Sequence, residues 1–146
     1  MMRRSFCLSV ILGSFLLAGV CHALEPVEPQ PATPLTFSDP AYQKVIPSVA
    51  KEMIADGVVV IDVQSPMERI TEGFIKGSVN VPLPALKVGA KLTAAPDFNQ
   101  KVLVHCRSGV RAENAAKILV ATGYKHVYNM YGILQWPYPL ENAPKK

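Results

Sequence analysis

VLVHCRSGVRAENAAKIL, residues 102–119, passes from an apolar run through one cysteine flanked by two arginines into an alanine-rich stretch. Val102 to His105 reads as a strand, and Arg111 to Thr122 reads as a helix that Gly123 closes. Cys106 therefore stands where a strand ends and a helix begins. In open α/β sheets that carboxyl edge is where ligands bind. Arg107, Ser108, Gly109 and Val110 make up the whole connection, so the chain must curl tightly there. Gly109 permits backbone angles that other residues resist. The amides of such a curl are expected to converge on the sulfur of Cys106. Together with the positive end of the helix they favour an anion, and the thiolate is the nucleophilic form.

Two arginines at a helix N-terminus work against the helix dipole, and within this stretch only Glu113 relieves them. Arg107 and Arg111 make better sense if an anionic substrate arrives. The bland reading of Arg111 is a surface salt bridge to Glu68, Glu72 or Glu113. His105 either faces a neighbouring helix or, protonated beside the thiol, favours its anion further. A lone cysteine at a strand end is often a small buried residue. The company of Gly109 and both arginines argues for a nucleophile instead.

Outward from this loop, short β-branched runs alternate with helical stretches, the pattern of an α/β domain with a mainly parallel sheet. Residues 58–63, VVVIDV, are the clearest second strand, apolar enough for burial on both faces. A helix is expected over 48–56, after Pro47 and before Gly57. Ser65-Pro66-Met67-Glu68 has the form of a helix start, with Ser65 as cap, Pro66 in the first helical position and Glu68 reaching back. A short strand over 78–81 is halted by Pro82. Residues 84–92 read as helical, 93–100 as a loop and 127–130 as the last strand. Tyr124, Tyr128, Tyr131, Trp136 and Tyr138 suit core packing and a lid over the last helix.

The folded domain is expected over 39–146, preceded by a proline-rich tether over 24–38 whose core, EPVEPQPATP, holds four prolines. Residues 1–23 have the outline of a secretory signal: Arg3 and Arg4, an apolar run of 15 residues from Phe6 to Val20, then Cys21-His22-Ala23. That run is short of the roughly 20 residues of a membrane-spanning helix. Cleavage after Ala23 is expected, leaving 123 residues with no membrane anchor; lipidation of Cys21 is second in rank, because Val20 stands where such signals want Gly or Ala. Of three cysteines only Cys106 would remain, so no internal disulfide forms in the exported chain. Losing Arg3 and Arg4 takes the formal charge from +4 to +2, and no basic stripe argues for nucleic acid. Three histidines and no C-x-x-C or H-x-x-x-H spacing argue against a structural zinc site.

CRSGVR, Cys106 to Arg111, resembles the active-site loop of the rhodanese family, and the likeness extends over 45–136. VVVIDVQSPMERITEGFIKGSVNVPL, residues 58–83, is similar to the family's D-V-R, a later Glu, and G-H-I-x-G-A-x-N-I-P. Asp62, Val63, Glu68, Gly73, Ile75, Gly77, Asn80 and Pro82 match, as do Gly123, Val127, Tyr128, Gly132 and Trp136 in the C-terminal pattern. Gln64 departs from an Arg, Phe74 from a His and Tyr131 from a Gly. None of the three is expected to touch the loop, and Gln64 cannot form the ion pair with Glu68 that the family pattern suggests.

The resemblance implies an α/β fold with a twisted, mainly parallel five-stranded sheet and helices on both faces. It also implies sulfur transfer: Cys106 takes the outer sulfur of thiosulfate as a persulfide and passes it to cyanide or a thiol, including a protein thiol; the signal over 1–23 adds the expectation of a bacterial periplasm. Arg107, Ser108, Gly109, Val110 and Arg111 would bind the donor, with no metal or organic cofactor. A persulfide relay with little turnover on small donors, or a thiol-redox sensor, is the alternative. Tyrosine phosphatases share the His-Cys pair, but their loop is one residue longer than the four that separate Cys106 from Arg111. The smaller loop suits a sulfur atom better than a phosphoryl group.

Overall fold

A computed structural model describes residues 37–142. Residues 1–23 and the tether as far as residue 36 lie outside them. Phe37, the next residue, packs its ring against Tyr42 at 4.9 Å.

In chain order the elements are β1 (Tyr42–Lys44), α1 (Pro47–Ala55), β2 (Val59–Asp62), α2 (Pro66–Glu72), β3 (Val79–Asn80), β4 (Lys101–Cys106), α3 (Val110–Thr122) and β5 (His126–Gly132), with 3-10 turns at Leu83–Ala85 and Ile133–Gln135. The strands form one sheet in the order β1-β5-β4-β2-β3, and every pairing is parallel. From β2 the chain moves outward to β3 at one edge of the sheet, and from β4 it moves the opposite way to β5, beside β1. The reversal falls between β2 and β4, so the carboxyl ends of these two strands flank the crevice where such sheets bind ligands.

Both faces of the sheet are covered, which is why the central strand reads as an unbroken apolar run. Val102, Val104 and Cys106 point to the layer held by α3, while Leu103 points to the layer held by Ala50 of α1. Ala112, Ala115, Ala116 and Leu119 give α3 one apolar stripe, and three alanines let it lie close to the sheet. Burying Leu119 contributes about 1.5–3 kcal/mol.

Local chemistry explains the element ends. Pro47 sits inside α1, at its first turn, where its missing N–H costs nothing. At α2 both bonds of the capping box form: Ser65 Oγ accepts from the Glu68 amide at 3.2 Å, and Glu68 Oε2 accepts from the Ser65 amide at 2.9 Å. Gly123, with φ of 117°, closes α3 in the left-handed region. The helix expected over 84–92 does not form. Only the turn at Leu83–Ala85 is helical, with Pro82 before it and Pro84 inside it, and the chain then turns at Gly89 with φ of 86°. The aromatic lid is also placed differently: Trp136 packs on the α1 layer, and Tyr138 stacks edge-on to it at 4.9 Å beneath Lys51 of α1. Tyr124 is core, its hydroxyl donating to the Ala95 carbonyl at 2.6 Å.

Candidate active site

Cys106 ends β4 with its side chain fully enclosed. Gly109, the residue before α3, takes φ of 104°, and this left-handed turn aims its N–H at Cys106 Sγ, 3.0 Å away. Of the amides expected to converge on the sulfur, this one makes the hydrogen bond. The end of β5 seats the loop. Leu134 donates to the Arg107 carbonyl at 3.1 Å, and Gly132 lies so close to Arg107 and Ser108 that any side chain there would strike their backbone. Ser108 and Val110 face outward, Val110 with 69% of its surface exposed.

Tyr131 corrects one expectation. It adopts φ of 67°, where its β-carbon is strained, and its backbone lies against Gly109, so that a β-carbon on Gly109 would come within 3.2 Å of Tyr131 Cα. The departure at this position therefore does touch the loop. Asn129 Oδ1 accepts the Tyr131 amide at 2.8 Å and holds the turn.

Both loop arginines carry a carboxylate from α2. Arg111 grips Glu68 with two bonds, Nη1 to Oε2 at 2.7 Å and Nη2 to Oε1 at 2.6 Å. Arg107 donates through Nε to Glu72. Glu68 and Glu72 are four residues apart on a helix and so share a face. Glu113 of α3, the nearest in sequence of the three candidate partners, instead pairs with Lys44 at 2.9 Å. Arg111 holds the Glu68 carboxyl down at about 2, against burial, with the bonds to Ser65 assisting. The salt-bridge reading of Arg111 named Glu68 among its three candidates, and that pair forms; nothing local links Glu72 to Arg107, 35 positions away.

His105 does not stand beside the thiol as a cation. It faces the opposite side of β4, buried, and burial pushes its imidazole below the usual 6.5, against the pull of Asp62. Its Nδ1 lies 3.9 Å from Asp62 Oδ1. Asp62, fully enclosed, accepts from Arg69 Nη1 at 2.7 Å and from the Gln64 amide at 2.9 Å. Arg69 also donates to Ser78 Oγ at 3.0 Å and stacks on Phe74, 3.7 Å from the ring centre. The aromatic at position 74 thus lies beneath a guanidinium. Gln64 is buried with neither side-chain amide atom bonded to protein.

Among the described residues no cluster of His, Cys, Asp and Glu has the form of a metal site, and no helix is long and apolar enough to cross a membrane. A thiol enclosed at the carboxyl edge of a parallel sheet, with one amide aimed at its sulfur, can hold an anionic sulfur species, and the two loop guanidiniums, each paired with a carboxylate of α2, lie on the same connection.

The family profile of the rhodanese-like domain matches residues 47–136. The thiosulfate sulfurtransferase PspE of Escherichia coli is 38% identical over 73 residues, which span 50% of this chain and 68% of that protein. The thiosulfate sulfurtransferase GlpE of Haemophilus influenzae is 29% identical over 92 residues, 63% of this chain and 84% of that protein. Among solved structures, a rhodanese-related protein from Thermoplasma volcanium superposes with a TM-score of 0.58 at 28% identity, covering 69% of this chain and 99% of its own.

Proposed function

Because the chain belongs to the rhodanese-like family, we propose that it is a sulfurtransferase that carries sulfur as a persulfide on Cys106. Thiosulfate is the donor in this reading, supported by the relatives that bear the name thiosulfate sulfurtransferase. The electron pair of the Cys106 thiolate forms a bond to the outer sulfur of thiosulfate. The S–S bond of thiosulfate breaks, sulfite leaves with the bonding pair, and a persulfide anion remains on Cys106. A thiol, on a small molecule or a protein, or cyanide in the test tube, then attacks the outer sulfur. It departs as a persulfide or thiocyanate, and the thiolate is restored.

The observation that carries this reading is the Gly109 N–H on Cys106 Sγ at the start of α3. A fixed donor and the positive end of a helix stabilise the Cys106 thiolate that attacks the donor and that is restored when the acceptor leaves, without reorganisation at the moment of reaction. Arg107 and Arg111 orient the sulfonate end of the donor by exchanging their carboxylate partners for its oxygens. Every step uses protein side chains and substrate, with no cofactor and no nucleic acid.

The reading extends to export. Residues 1–23 act as a cleaved signal that delivers the domain to a periplasm, where the chain beginning at Leu24 has one cysteine and no resolving partner. Cys106→Ser is the test: sulfite release from thiosulfate should fall to the uncatalysed rate while the melting temperature stays within a few degrees of wild type. Retained turnover in that variant would end the assignment.

A further inference from the structure

Glu72 and Arg107 each stand at the unfavourable end of a helix. A carboxylate on the last residue of α2 opposes the negative end of its dipole, and a guanidinium just before α3 opposes the positive end. Each relieves the other across the mouth of the loop. With Arg111 held by Glu68, both guanidiniums of the CRSGVR stretch meet carboxylates, and the rim is close to neutral. The two pairs are not equally firm. Arg111 is gripped at two points and 34% exposed, while Arg107 is held through Nε and 48% exposed. Arg107 is therefore the guanidinium that an incoming anion can win more readily.

From this we propose that Glu72 is a specificity-determining residue: it occupies Arg107, so that a doubly charged donor must displace it, and it favours donors with a less charged leaving group. The inference rests on the sulfurtransferase reading. Thiosulfate, with two negative charges, leaves as sulfite. Methanethiosulfonate, with one, gives up its outer sulfur to the Cys106 thiolate in the same way and leaves as methanesulfinate, the breaking S–S bond supplying the electron pair. Removing one negative charge from the rim favours the dianion over the monoanion, because the interaction scales with ligand charge.

The experiment compares KM for the two donors at fixed cyanide in the wild type, Glu72→Gln and Glu72→Asp. In Glu72→Gln the ratio of the thiosulfate KM to the methanethiosulfonate KM should fall about threefold, the size expected for an exposed pair. The fall should shrink at roughly 0.5 M salt, and Glu72→Asp should keep most of the wild-type ratio. An unmoved ratio, or a thiosulfate KM that rises in Glu72→Gln, overturns the role of Glu72 while leaving sulfur transfer intact. Failure of the wild type to form a persulfide from either donor overturns sulfur transfer and this inference with it.

Discussion

α2 takes part in two ion pairs of the same chemistry in different surroundings. Toward the sheet, Arg69 meets Asp62 with side-chain exposures of 15% and 0%; toward the loop, Arg107 meets Glu72 at 48% and 33%. The inner pair has lost its water, so each partner depends on the other and on Ser78, the Gln64 amide and the Phe74 ring. The outer pair keeps much of its water, gains little from pairing and can be exchanged for another anion. Glu68 stands between, a quarter exposed and shared by the helix cap and Arg111. Burial thus separates the charges that hold the crevice in shape from those that an anionic donor can recruit.

The sharpest way to break this comparison is Asp62→Ala, which leaves the largely covered Arg69 guanidinium without its counter-ion. A loss of about 3–5 kcal/mol in urea denaturation is expected. A loss under about 1 kcal/mol, the level of a surface pair, would mean that the inner pair is no different from the outer one.

Glu68→Gln should cost about 1–2 kcal/mol at neutral pH, through the capping box and a two-point ion pair. The cost carries a pH signature. The folded carboxyl sits at about 2 against an ordinary 4.5, so its contribution is present above 4.5 and is lost as pH falls through about 2. Melting curves of wild type and variant should therefore converge across that window; curves that stay parallel would detach Glu68 from Arg111. At the small end, Glu72→Gln should change folding stability by less than about 0.5 kcal/mol. A larger loss would make Glu72 structural and blur the distinction between the two pairs.

Elements set by local chemistry were legible. Ser65, Pro66 and Glu68 announced the start of α2, Gly123 the end of α3, and the strand-to-helix turn at Cys106 located the crevice. Helical expectation over 84–92 failed because Pro84 and Gly89 outweigh the intervening apolar residues. β1, three residues long, was too short to register as a run. What the chain does not announce is long-range pairing. Glu68 was one of three candidate partners of Arg111, and only the fold selects it across 43 positions; the Arg107–Glu72 pair, 35 positions apart, left no signal in the sequence. The contact of Tyr131 with Gly109 was hidden for the same reason.

The central claim is a persulfide on Cys106, and the intact mass of the purified protein tests it most directly. Thiosulfate should add the mass of one sulfur atom, mapped to the Cys106 peptide, and cyanide should remove it with release of thiocyanate. No added mass on a thiol shown to be free beforehand would contradict thiosulfate as the donor and the account of the loop as a sulfur-accepting site.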